Sequence, residues 1–112
     1  MDVRPDHLLL RIFINEDDRP DGGPSCRNIV EMLRGHGLAG ATVLKGIAGF
    51  GRSSRIHTGS ILRLSEDLPI IIECVDETGP IEAIIPAIHD LVPGALITTE
   101  QVRVHTPTPD PA

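Results

Sequence analysis

The chain has 112 residues, of which 40% are apolar and only two are aromatic, with a formal net charge of −6. That length makes one domain able to bury a modest core of Ile, Leu and Val without disulfides or metals. The acidic balance excludes a general nucleic-acid binder, which needs positive charge to displace counterions, and a surface made for anionic lipid.

Cys26 and Cys74 are too few and too far apart for a disulfide framework or a four-ligand zinc site, and both fall on apolar faces as small buried hydrophobes. The first residues, Met1 to His7, carry no apolar signal core, and no stretch approaches the ~20 residues of a membrane span. The expectation is a cytoplasmic protein without membrane insertion.

His7 to Ile14 alternates as a strand, with Leu8, Leu10, Ile12 and Ile14 on one face and Leu9, Arg11 and Phe13 on the other. An acidic, turn-rich loop follows from Asn15 to Pro24. A helix is expected from about Ser25, its N-cap, with Cys26, Ile29, Val30 and Leu33 as one stripe and Gly35 and Gly37 as the stop. The second strand runs from about Ala41 to Gly49 and feeds a flexible loop of about 50–67. Gly46, Gly49 and Gly51 allow close backbone approach or positive φ, and Lys45, Arg52, Arg55 and Arg63 bring positive charge.

Pro69 to Val75 is a short apolar run bounded by turns, hence a third strand. The second helix has Pro80 in its first turn and a stripe of Ile81, Ile84, Ile85, Ile88 and Val92, with Pro86 inside to kink or shorten it. Leu96 to Val104 is the fourth strand, and 106–112 is a proline-rich, unordered tail. The ordered core is expected over about 7–105 of a single domain. The order β-α-β-β-α-β is that of an α+β ferredoxin-like sandwich: a four-stranded antiparallel sheet with two helices on one face. The other face then carries Leu9, Phe13, Ile71, Val75 and Ile97 with Arg11, Glu73 and Arg103. That apolar content predicts sheet-to-sheet association into a homo-oligomer.

Gly40-Ala-Thr-Val-Leu-Lys-Gly-Ile-Ala-Gly-Phe-Gly51, Ile56-His-Thr-Gly-Ser-Ile-Leu-Arg-Leu-Ser-Glu-Asp-Leu-Pro69, Val75-Asp76 and Glu100-Gln-Val-Arg-Val104, taken together, resemble the PII-like signalling proteins. The nearest group is the small stand-alone PII-like family whose members are largely uncharacterised, and the resemblance spans roughly 7–105. It implies a non-catalytic homotrimer whose sheets pack into a central barrel. An adenine nucleotide (AMP, ADP or ATP) or a related anionic effector would bind in clefts between subunits. The long loop would act on a partner, a membrane transporter or channel or a metabolic enzyme.

By that resemblance Gly49, Phe50, Gly51 and Arg52 match the Gly-Phe-Gly-Arg that opens the loop and helps hold nucleotide. Arg103 matches a phosphate-facing arginine, and His105 stands where a second arginine is expected, which makes that charge pH-dependent. Arg55 joins Arg52 and Arg103 as a candidate anion ligand; solvated loop charges or intersubunit ion pairs are the alternative. The glycine-rich, lysine-containing loop before the last strand is replaced by Val92-Pro-Gly-Ala-Leu96, which leaves room for a mono- or diphosphate or a different anion. The chain has no tyrosine to modify.

Acylphosphatases share the strand order, but the carboxylates of Asn15-Glu-Asp-Asp-Arg-Pro-Asp21 would repel a phosphoryl group. Phe13 and Phe50 are too few for base stacking on the sheet. His7, His36, His57, His89 and His105 are scattered singly, without zinc-site spacing. The alternative function is a metal-binding trimer resembling cation-tolerance proteins, with His57 or His105 at a subunit boundary.

Overall fold

A computed structural model describes residues 2–15, 25–49, 57–58 and 69–106. The elements follow in the order β1 (Asp2–Asn15), α1 (Ser25–Gly35), β2 (Thr42–Lys45), β3 (Ala48–Gly49), β4 (His57–Thr58), β5 (Pro69–Glu77), α2 (Thr78–Leu91) and β6 (Leu96–Thr106). The main sheet is antiparallel in the order β2-β5-β1-β6, and β3 and β4 form a separate two-stranded ribbon. The expected ferredoxin-like sandwich is therefore present.

Alternation in β1 and β5 sends Leu8, Leu10, Ile12, Ile14, Ile70, Ile72 and Cys74 into one core with Ile29 and Leu33 of α1 and Ile81, Ile84 and Ile88 of α2. Leu10, Ile12, Ile29, Ile72, Ile81 and Ile88 are completely buried. Truncating any of them leaves a cavity costing about 2–5 kcal/mol.

Helix α1 ends in a Schellman closure. Leu38 N donates to Leu33 O at 3.1 Å, Gly37 N donates to Arg34 O at 3.1 Å, and Gly37 takes φ of 79°. Its start differs from expectation: Ser25 is buried, but its Oγ makes no hydrogen bond among the described residues, so the capping bond is not formed. Helix α2 runs on through Pro86, whose ring lies on the exposed side, instead of ending there. Strands β1, β5 and β6 each extend a few residues beyond their expected ends, and the second strand is broken at Gly46-Ile47 into β2 and β3.

The register of β6 corrects one assignment. Ile97 pairs with Ile12 and so faces the helices, not the open side, and by alternation Arg103 lies on the helix side too. Leu96, Thr98, Glu100 and Val102 take the open face instead, opposite Phe13, Arg11, Leu9 and His7. Between Arg4↔Val104 and His7↔Val102, β1 spends one residue more than β6, a bulge that sets Pro5-Asp6 against Arg103. Proline has no N–H for the ladder, which suits Pro5 to that place. The Asp6 carbonyl accepts Thr78 Oγ1 at 3.0 Å, tying the bulge to the start of α2.

Candidate functional site between two sheet corners

The first corner is where β2 ends. Gly46 N donates to Pro69 O at 2.7 Å, one step past the Lys45↔Ile70 pair. A Cβ on Gly46 would lie 2.6 Å from Pro69 Cγ, closer than any side chain tolerates. Gly46 is thus required by close approach, and the bond fixes the point at which the chain leaves the sheet. Beyond it, Ala48 pairs with Thr58 and Gly49 with His57, so the chain doubles back as a short ribbon. Ile47 between them is strongly exposed.

The second corner is the C-terminal half of β6. Arg103 and His105 are two residues apart in an extended strand, so they share a face, and both are exposed. They lie on the helix side of the sheet's outer edge, at the level of the bulge.

These corners are diagonal within one chain. Lys45, Ile70 and Ile14 share one row across the sheet, and Phe13↔Leu96 places Ala95 at its end. Crossing from β2 to β6 takes about 14 Å at the usual strand spacing, and the eight steps from Ala95 to Arg103 add about 26 Å along the strand. Lys45 and Arg103 are therefore about 30 Å apart, and four extended residues return Gly49 by at most about 14 Å. Within one chain Gly49 and Arg103 therefore stand at least about 16 Å apart, further than a small inorganic anion spans.

At the opposite end of β2, where the chain enters it, Val30, Leu33, Arg34, Leu38, Ala39, Gly40 and Ala41 line a hollow of about 220 Å³. That is below the ~300–1,000 Å³ of pockets that enclose drug-sized ligands. Asp76 shapes its rim: Oδ2 accepts Ala39 N at 2.8 Å, and Oδ1 accepts Glu77 N at 2.7 Å. The acidic residue of the Val75-Asp76 string thereby braces the segment entering β2.

The open face is organised in rows. Leu44, Ile71, Phe13 and Leu96 form one row; Thr42, Glu73, Arg11 and Thr98 form the next; Val75, Leu9 and Glu100 form the third. Arg11 Nε donates to Glu73 Oε2 at 2.9 Å, and Nη1 donates to Glu100 Oε1 at 3.0 Å. The Glu73 hydrogen bond foremost, with the charge and hydrogen bond of Glu100, pushes the Arg11 pKa up against a smaller desolvation effect.

Of the expected site residues, Gly49 lies in β3 and Arg103 and His105 in β6; Phe50, Gly51, Arg52 and Arg55 lie outside the described residues. Sequence reasoning missed the Gly46–Pro69 contact, although a glycine ending one strand and a proline starting its partner were visible signals. It also missed Glu100 as a partner of Arg11, which only the register of β6 discloses. Among the described residues, no group of three His, Cys, Asp or Glu could hold a metal ion. None of the described helices is long and apolar enough to cross a membrane.

The family model DUF190 (Uncharacterized ACR, COG1993) matches residues 7–104. The chain belongs to this family. Among DUF190 relatives, a UPF0166 protein of Aquifex aeolicus is 38% identical over 96 residues, 86% of this chain and 90% of that one. UPF0166 protein MJ1524 of Methanocaldococcus jannaschii is 36% identical over 94 residues, 82% of this chain and 86% of that one. This DUF190 chain also shares its fold with CPII, a nitrogen regulatory PII-like protein from Thiomonas intermedia K12. The structure of CPII bound to ADP, AMP and bicarbonate superposes with a TM-score of 0.62 at 17% identity, over 92% of this chain and 91% of that one. The form bound to ADP and bicarbonate gives 0.60 at 18% identity, with the same coverage of both chains. The fold is PII-like.

Proposed function

We propose that the protein is a non-catalytic, homotrimeric regulator that binds an adenine nucleotide or a similar small anion between subunits. The loop of about 50–67 acts on a partner, a membrane transporter or channel or a metabolic enzyme, in the cytoplasm. The observation that carries this reading is the diagonal separation of Gly49 from Arg103 and His105 within one sheet, which supports a site completed by a neighbouring copy. The open face, with Leu44, Val75 and Leu96 exposed, supports association. The shared fold with a protein described as bound to ADP, AMP and bicarbonate supplies the ligand class.

Anion binding would draw on Arg52, Arg55 and Arg103 as charge-assisted donors and on backbone N–H groups at Gly49 to Arg52. His105 adds charge only when protonated. A coupling of ~1–3 kcal/mol between effector and loop suffices for a useful switch.

Thermal unfolding against AMP, ADP and ATP, each with and without bicarbonate, tests the reading. A nucleotide at about 100 times its Kd should add ~2.7 kcal/mol of stability to the wild type. Arg52→Ala and Arg103→Ala should each lose most of that gain. No stabilisation by any nucleotide, or the same stabilisation in all three proteins, contradicts the site.

A further inference from the structure

We infer that Asp6 reads the ligand at the β6 corner: its carboxylate accepts the ribose hydroxyls of a ribonucleotide whose phosphate lies on Arg103. The inference rests on the nucleotide reading proposed above and adds a specificity that Arg103 by itself does not supply.

The register sets the two residues side by side. His7 pairs with Val102, so Asp6, the next position in the bulge, stands against Arg103. Leu8 is buried in the core beneath the helices, and alternation along β1 puts Asp6 on the same side of the sheet. Arg103 lies on that side too, so a carboxylate and a guanidinium rise from one face of neighbouring strands. Directly opposed residues of an antiparallel pair have Cβ atoms about 4.5–5.5 Å apart. Both residues are exposed, and no ion pair joins them.

The main chain at Asp6 is held while its side chain is left to a ligand. Its carbonyl accepts Thr78 Oγ1 at 3.0 Å, a bond to the start of α2 that uses neither carboxylate oxygen. A bulge re-aims the side chains that it carries, and this one aims Asp6 at the strand that bears Arg103.

An ionised carboxylate only accepts hydrogen bonds, and a guanidinium only donates them. A bare inorganic anion is drawn by Arg103 and repelled by Asp6 a few ångströms away, so the pair suits it poorly. A ligand that carries an anionic group beside hydroxyl donors satisfies both partners. A nucleoside monophosphate has that pattern, with phosphate and diol on one compact sugar. Its two hydroxyls can donate to the two carboxylate oxygens while the phosphate accepts from Arg103. Acidic side chains accept ribose hydroxyls in dinucleotide-binding folds for the same chemical reason. A deoxyribonucleotide offers Asp6 less to accept and leaves more of the repulsion uncompensated.

Isothermal titration with AMP, and with the AMP analogue that lacks both ribose hydroxyls, tests the assignment on the full chain. The wild type should prefer AMP about tenfold, as hydrogen bonds to a charged group allow. Asp6→Ala should bind AMP more weakly and bring the ratio close to one. Asp6→Asn keeps the shape and one acceptor oxygen, and its ratio should fall between. Glu77→Gln removes the same charge from the opposite face, where Glu77 pairs with His7, and should keep the wild-type ratio. An unchanged ratio in Asp6→Ala, with binding still lost in Arg103→Ala, overturns the role of Asp6 and leaves the nucleotide site standing. Equally tighter binding of both ligands by Asp6→Ala makes the carboxylate a repellent only and overturns it as well. No binding of either ligand by the wild type overturns the inference together with the nucleotide reading.

Discussion

Gly46 and Pro69 are in contact through both backbone and side chain: the Gly46 N–H meets the Pro69 carbonyl at 2.7 Å, and the proline ring fills the space where a Cβ on Gly46 would stand. The main sheet ends here, and the 47–68 segment starts and returns through this one contact. Gly46→Ala should destabilise the fold by about 1–3 kcal/mol, the usual cost of forcing atoms into a filled space. Pro69→Ala removes the ring carbon at 2.6 Å and leaves the carbonyl at 3.3 Å as the nearest atom. The double variant should therefore recover much of the loss, a coupling that a denaturant-based double-mutant cycle measures directly. Simple additivity of the two changes contradicts the contact.

Asp76 holds the entry to β2 through Ala39 N and the start of α2 through Glu77 N. Asp76→Ala should cost about 1.5–3 kcal/mol, because a charged acceptor is lost and backbone donors are left without it. Asp76→Asn keeps an acceptor oxygen and should cost less. Amide hydrogen exchange at Ala39 should quicken in both variants, and more in Asp76→Ala. Unchanged exchange there would remove the brace.

Cys74 lies buried in β5, and burial foremost, then the nearby Asp76 charge, pushes its thiol pKa up, opposed by a backbone hydrogen bond from Gly40. A folded-state pKa raised above the unfolded value gives stability that is complete below the unfolded value. That stability is lost as pH rises through the folded one. The window opens at the ordinary thiol range of about 8.5 and extends upward. The fold should thus weaken in mild alkali, and Cys74→Ala should flatten that part of the profile. Cys74 should also react with thiol reagents more slowly than half-buried Cys26, as mass spectrometry of partly labelled protein will show.

Much of the fold is legible in strands where one face must be apolar. Leu8, Leu10, Ile12 and Ile14 cannot be misread, because a shift of one residue would put the whole core in water. β6 lacks that constraint. Leu96 and Ile97 are both apolar, and Thr98-Thr-Glu-Gln101 has no alternation, so only pairing with β1 decides that Ile97 faces in. The same shift carried Arg103 to the wrong face and hid Glu100. Composition and turn signals located the helices well; the Ser25 cap failed because a serine after proline is permissive for a cap, not sufficient. The site was less legible, since its halves stand at opposite corners of one sheet and spacing along a chain says nothing about a neighbouring copy.

The central claim is that the effector site needs residues from two chains. The most direct measurement is nucleotide binding by oligomers re-formed from an equal mixture of Arg52→Ala and Arg103→Ala subunits. Each variant alone should bind almost nothing. In a random mixture about a quarter of the sites take both native arginines, one from each neighbour, and isothermal titration should find that fraction at wild-type affinity. A mixture as inactive as its two components would contradict a shared site.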